Sequence, residues 1–581
     1  MITKNIKRLL IAGLVCCGFA AVLTSCSDDD NVGESPRFFR PVPSYDTNRN
    51  ILTVNWNAIA GATEYVLTLS RQVTDENGET QLEMLRQVTT PENKYIFNDL
   101  AWDEKYVYTI SCNNGVKTSE DYESDPITIA YSTKLTEVKT IDNAARVAWK
   151  NDANDDVFAI LAAIPANGGE AVYHEVTEDE MAQGFADIYG LNPETQYLFT
   201  AYKDLETHNN DTYAGRLKGT TKASVDFDEK YGVGMWIDLR DETTNTIFQG
   251  EAGPVWDDLG IKDGMTIILR GEMKYKVNAT TLFDRSLHFV TGQTLGGNAQ
   301  FISSGGFLLE KGSTVDELSF QDIDFISDKA GENPMQYVKG YNAKDFGGRQ
   351  VYNSNGMNST LKSLKFMGCT FTGYRAVVRA QGETDNINDI VFEGCVFNGI
   401  GDQGIVTNNN KGTDMRSITF KDCTFLNVVM ATDVRSTTDD KCNVSAQQCS
   451  FCYCPIEGST SGLFRFGDLN VTFSVSNCIF GPSLSCPDNK TVTTFTPGGT
   501  KEDVLSYQMN KNFGTVAVDG TYFTSFPTWN TSESKYFADQ ATILPEKETD
   551  IWQNPADGDL KLVGATGLQL AGWGAGASKW R

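Results

Sequence analysis

Five positions in the C-terminal half, Lys339, Arg379, Thr407, Arg435 and Arg465, are the residues of this chain best suited to chemistry. Each follows an apolar residue in a short segment, "YVKG", "VVRA", "IVTN", "DVRS" and "LFRF", so that Val338, Val378, Val406, Val434 and Phe464 form one apolar column. Successive side chains of a strand point to opposite faces, so the next residue points outward. The outward column then holds four bases in five positions, within a chain whose formal charge is −27 from 49 basic and 76 acidic residues. Like charges one strand spacing (about 4.8 Å) apart repel by roughly 1 kcal/mol in water and roughly 3.5 kcal/mol at an effective dielectric of 20, so an anion should face them. Two sources of anion answer. Glu383, Asp385, Asp433 or Asp468 in adjoining strands and turns could pair with these bases, as on many solvated faces. Alternatively the column is a groove for the carboxylates of an acidic polysaccharide, which planar guanidinium groups accept bidentately. Tyr337, Tyr341 and Tyr374 lie close enough in sequence to offer stacking faces to its sugar rings.

Other chemistry has little raw material. Only His174, His208 and His288 are present, too few for a multi-histidine metal site and a poor basis for a histidine triad. The acidic balance argues against nucleic acid or an anionic membrane surface as partner of the whole molecule. The cluster "CSFCYC", Cys449 to Cys454, could be read as a metal site, but no second cluster matches it.

The elements that must position the basic column show themselves as a repeat. The pattern apolar-x-apolar-x-x-Cys-x-Phe fits Leu364 to Phe371, Ile390 to Phe397, Ile418 to Phe425, Val444 to Phe451 and Phe473 to Phe480, with its cysteine at 369, 395, 423, 449 and 478. Flanking copies, "LSFQDIDF" and "VAVDGTYF", keep the spacing without cysteine. A period in this range with alternation inside each unit predicts a β-solenoid, in which stacked coils bury an apolar face that no coil could bury alone. The cysteine then marks an inward position beside a turn, filled by a small apolar side chain, and Ile323 and Thr521 in the same slot favour packing over redox or metal chemistry. Disulfides stay open among Cys442, Cys449, Cys452, Cys454 and Cys486.

Ahead of the solenoid, residues 37–132 alternate as strands, with Trp56 in "ILTVNW" and Leu100 six residues before Tyr106, and residues 133–222 repeat this with Trp149, Leu191 and Tyr197. At the N-terminus Lys4, Lys7 and Arg8 precede an apolar run, Leu9 to Val22, too short for a comfortable membrane span. "LTSC" follows, ending at Cys26, and then the acidic "SDDD".

These segments carry resemblances. "LTSC" resembles a bacterial lipobox, which makes residues 1–26 a lipoprotein signal peptide and Cys26 the lipid-bearing first residue of the mature chain; residues 27–36 resemble the acidic tether of Bacteroidetes lipoproteins shown on the cell surface. The two sandwiches resemble fibronectin type III domains. Residues 223–545 resemble a right-handed parallel β-helix of the pectate-lyase type, with "DGMTIILRGEMKY" like its first coil, "SLHFVTG" like the next, and residues 546–581 like its closing segment. The expected fold is all-β. The resemblance implies an outer-membrane lipoprotein, facing outward, that binds acidic pectin-type polysaccharide within a glycan-utilisation system, beside other glycan-uptake proteins. Candidate binding residues are Lys339, Arg379, Arg435, Arg465 and Tyr337. Two alternatives stay open: a polysaccharide lyase using Ca²⁺ with Arg379 as base, and a structural or adhesive solenoid. "GDQGI" resembles the G-D-D-C-I segment of polygalacturonase-like hydrolases, but Gln403 replaces the second aspartate and a lone Asp402 cannot supply both acid and base. "RAVVR", with Arg375 and Arg379, lacks the proline of the lyases' R-x-P-x-x-R.

Overall fold

The computed structural model describes residues 37–581 except 75–78, 152–157, 241–246, 249–252, 331–348, 383, 409–412, 436, 440, 456–462, 467–469, 483–512 and 526–539. The chain is all-β. The first sandwich sets a three-stranded sheet (Ser44–Asn48, Ile51–Asn55, Lys94–Phe97) against a five-stranded one containing Glu64–Thr74, Thr80–Thr90 and Lys105–Asn113. Alternation places Leu52 and Val54, followed by Trp56, against Tyr65, Leu67 and Leu69 in one apolar core. The Tyr106 hydroxyl accepts a hydrogen bond from the Ala101 amide at 2.8 Å, five residues back, which is the tyrosine corner the spacing predicts. The second sandwich repeats this device, Tyr197 accepting from the Asn192 amide at 2.9 Å, around buried Trp149 and Phe199.

The solenoid stacks parallel strands. One sheet has ten, running from Trp236–Asp238 to Phe513–Asp519, so it begins one strand earlier than the segment that resembles a first coil. The repeat sets this up directly. Leu364, Phe366, Cys369 and Phe371 point inward, as do their equivalents in the next coils, and all are fully buried. Phe320, Phe366, Phe392 and Phe420 stack with ring centroids 5.2–5.3 Å apart. Each such ring removed from water contributes about 1.5–3 kcal/mol. The residue before each cysteine turns the corner with positive φ: Gly368, Gly394, Asp422, Gln448 and Asn477 have φ of 52–65°. That backbone suits glycine, asparagine and aspartate, and only Gln448 departs from those types.

The cysteines fill the inward slot after this corner and are free thiols. Cys369, Cys395 and Cys423 donate to the carbonyls of Phe320, Phe366 and Phe392 at 3.3–3.4 Å. Burial pushes the thiols of Cys369, Cys423 and Cys478 well above the usual range, as expected for packing groups in a dry interior. Cys442, Cys449, Cys452 and Cys454 are also free and buried, so the disulfides left open in the sequence do not form among the described residues; Cys486 lies outside them. A second parallel sheet runs from Lys274–Val277 through Thr424–Val428 and Ile479–Phe480 to Thr542–Ile543, with a third row of short strands pairing beside it; the C-terminal segment packs Trp552, Leu560 and Leu570 against Leu426, Cys452 and Ile479 of the second sheet. It is pinned there by Ala577 N to Ser450 Oγ (3.0 Å) and Trp580 Nε1 to Thr424 Oγ1 (2.9 Å). That cover leaves the third sheet for the candidate site.

Candidate functional site

The third strand of successive coils brings together Gln350–Ser354, the end of Thr370–Ala380, the end of Val396–Thr407, Thr432–Val434 and Phe464–Phe466. Its inward column is Tyr352, Val378, Val406, Thr432 and Phe464, and its outward column is Asn353, Arg379, Thr407, Asp433 and Arg465. This corrects the order expected from the sequence, in which Arg435 stood between Thr407 and Arg465. Val406 pairs with Thr432, not Val434, and Asp433, not Arg435, pairs with Arg465. The slip is two residues, which keeps every side chain on its expected face and so leaves the alternating pattern unchanged. Arg435 stands two positions beyond Asp433. On the other side of Arg379 the neighbour is Asn353; Lys339, Tyr337 and Tyr341 lie outside the described residues, as does Cys26.

Asp433 is the hinge of the electrostatics. Arg435 Nε lies 2.9 Å and Arg465 Nε 3.7 Å from its Oδ1. The nearer contact is close but not aligned as a hydrogen bond, and both Arg435 Nε and Asp433 Oδ1 are buried atoms without a hydrogen-bond partner. Burial raises the Asp433 carboxyl above its ordinary range despite the two guanidinium groups. The internal pairing foreseen for Asp433 therefore exists, yet two arginines share one carboxylate and a net positive charge remains. Asp385 is committed elsewhere, accepting from the Gly356 amide at 2.5 Å, while Glu383 and Asp468 are outside the described residues.

Arg375 and Arg379, four apart in "RAVVR", have different fates. Arg375 grips Asp402 with Nε and Nη2 at 2.7 and 3.1 Å. Arg379 Nε is buried without a partner, and burial, then the neighbouring Arg375, lower its guanidinium below the ordinary value. Around them Gln350 donates to Gln403 (3.0 Å), Gln381 to Asn353 (2.7 Å), and Arg349 pairs with Asp328 (3.0 Å). Nothing in the local sequence singled out Asn353, Gln350 or Arg349, because none stands beside a copy of the repeat kernel. Tyr374, expected as a sugar-stacking face, is fully buried and donates to Ser303 Oγ at 3.0 Å, so it cannot stack on a ligand.

A second polar cluster lies on the first sheet. His288 Nδ1 shares a 2.6 Å hydrogen bond with Ser319 Oγ and lies 3.8 Å from Glu317 Oε1, and Lys365 holds Glu317 at 2.6 Å. One ring nitrogen faces both serine and carboxylate, whereas a nucleophilic triad needs opposite nitrogens for the two roles. Burial lowers the imidazole's pKa, and Ser319 is nearly inaccessible, so the cluster reads as a hydrogen-bond ladder. Among the described residues no group of three or more His, Cys, Asp or Glu is arranged to hold a metal ion.

The molecule is thus two fibronectin type III-like sandwiches followed by a parallel β-solenoid. Similar solved structures cover the sandwiches. A two-domain fibronectin type III segment of chicken tenascin aligns at 14% identity with 32% of this chain and 99% of its own length, TM-score 0.14. The chicken CNTN1 FN1–FN3 domains align at 16% identity, covering 32% of this chain and 69% of that one, also at 0.14. No protein-family model and no curated protein matches the chain.

Proposed function

We propose that this protein is a surface-displayed adhesive lipoprotein, held by lipid on Cys26, whose solenoid binds an acidic polysaccharide across the third-sheet face. The fold supports an adhesive or structural role, since sandwiches and solenoids present extended rigid surfaces. The observation that carries the binding reading is Arg379: a half-buried guanidinium whose Nε has no partner, on the same outward column as Arg465 and beside Asp433 and Arg435. Desolvating a cation without a counter-charge costs stability, and an anionic ligand meeting the part-exposed guanidinium would recover some of that cost. Polysaccharide of the pectin type suits a face carrying several arginines and agrees with the resemblance of the solenoid.

Affinity electrophoresis of the ectodomain through gels containing pectin, polygalacturonate or neutral glucan tests this reading. Retardation by an acidic polymer alone is expected; equal mobility in every gel would refute it. The depressed guanidinium of Arg379 favours one second reading, a lyase that uses it as base. Under that reading the same polymers would yield unsaturated products, and Arg379→Lys would cut turnover far more than affinity. For the anchor, Cys26→Ala should release the protein from membranes or block its processing, and unchanged membrane attachment would remove it.

A further inference from the structure

The order of charges along the outward column constrains which acidic polysaccharide fits. From Arg379 the column runs through Thr407 and Asp433 to Arg465, three strand spacings or about 14 Å. Arg375 is neutralised by Asp402, and Asp433 cancels one of its two arginines, so the face presents two net positive centres, Arg379 at one end and the Arg435–Asp433–Arg465 group at the other. Between them lies Thr407, and the second centre contains the Asp433 carboxylate, buried beside its two arginines.

We infer that the face selects a sparsely charged glycan, one with free carboxylates about three sugars apart and neutral sugars between, over a polymer carrying an acid on every sugar. This rests on the binding reading above. A fully ionised polyuronate would bring charge against the stretch at Thr407, where the column supplies no cation, in a protein already at −27. A neutral or esterified sugar at that place brings no charge that needs a counter-ion. The carboxylate that breaks the basic ladder thereby leaves one net charge where two arginines stand, and helps set the charge spacing.

One backbone in three states tests it: polygalacturonate fully de-esterified, the same polymer methyl-esterified on about two-thirds of its acids, and the fully esterified form. Affinity electrophoresis of the wild-type ectodomain should show strongest retardation by the partly esterified polymer. Asp433→Asn should narrow or reverse the preference, by about tenfold in relative affinity, because it removes one repulsive charge. Asn353→Lys, which adds a cation beside Arg379 without touching Asp433, should favour the de-esterified form in the same way and covers the case in which Asp433→Asn does not fold. Retardation by the de-esterified polymer equal to or stronger than by the partly esterified one overturns the spacing inference and leaves the binding reading standing. No retardation by any acidic form overturns the binding reading itself.

Discussion

Arginines occupy two settings in this molecule, and they are satisfied very differently. Where the second sandwich meets the solenoid, Arg240 is almost fully buried and every part of its guanidinium is engaged. Nη1 and Nη2 donate to Asp142 at 2.7 and 3.1 Å, and Nε and Nη2 donate to Asp238 at 2.9 and 2.8 Å. Burial alone would lower its pKa, but the hydrogen bonds to Asp238 and Asp142 outweigh it and hold the group firmly charged. Nearby Arg146 grips Asp187 at 2.7 and 2.8 Å and also pairs with Glu272, while Arg270 lies 3.7 Å over the Tyr189 ring. On the third sheet Arg379 has a partnerless Nε, and Arg435 and Arg465 divide one carboxylate. The first setting spends its donors on holding two domains together. The second leaves buried donors unmatched and sets two arginines on one carboxylate, so its charge is not balanced within the described residues.

That contrast makes ordered predictions. Arg240→Ala should be the most damaging change, losing about 3–5 kcal/mol by leaving Asp142 buried and unpaired, read as a shift in the denaturant midpoint. A loss below about 1 kcal/mol would show that the junction is looser than its geometry. Cys395→Ala, in the packed interior outside both settings, should cost about 1–2 kcal/mol as a small cavity and leave binding intact once folded. Cys395→Ser should cost more, through a buried hydroxyl. Arg379→Gln should stay within about 0.5 kcal/mol of wild type, since no described hydrogen bond is lost, yet weaken binding to the acidic polymer by about tenfold. A large stability loss there would mean that Arg379 is structural after all.

The smallest effect is in pH. The Asp433 carboxyl is raised in the folded protein, so the native state takes up its proton before the unfolded chain does. Stability should therefore rise as pH falls through the folded pKa toward the unfolded value near 4, and Asp433→Asn should lack that rise. Melting curves of the two proteins across the acid range would show it as a difference that shrinks on acidification, and a difference of opposite sign would contradict the burial of Asp433.

Much of this was readable before the structure. The repeat kernel fixed which residues face inward because core burial and alternation act on the same positions, and the two tyrosine corners followed from a leucine six residues before each tyrosine. The positive-φ corner hid in plain sight as glycine, aspartate and asparagine before the cysteines. What the sequence could not disclose was the register of the third sheet. Cysteine-to-cysteine steps vary between coils, and a two-residue slip costs nothing in alternation, so hydrogen bonding alone decides whether Asp433 or Arg435 stands beside Arg465. The burial of Tyr374 escaped for a related reason, since its chain turns between the second and third strands, where a period-two count no longer applies.

The central claim is that the third-sheet arginines, one with a partnerless Nε and two sharing a single carboxylate, serve a ligand. Its most direct test is affinity electrophoresis in partly esterified pectin of the wild-type ectodomain and of the double variant Arg379→Gln, Arg465→Gln, with melting curves taken on the same samples. The account predicts that the double variant melts with wild type and runs at the mobility it has in a gel without polysaccharide. A double variant that is still retarded as strongly as wild type would contradict it, and would return the third-sheet face to an internally paired surface.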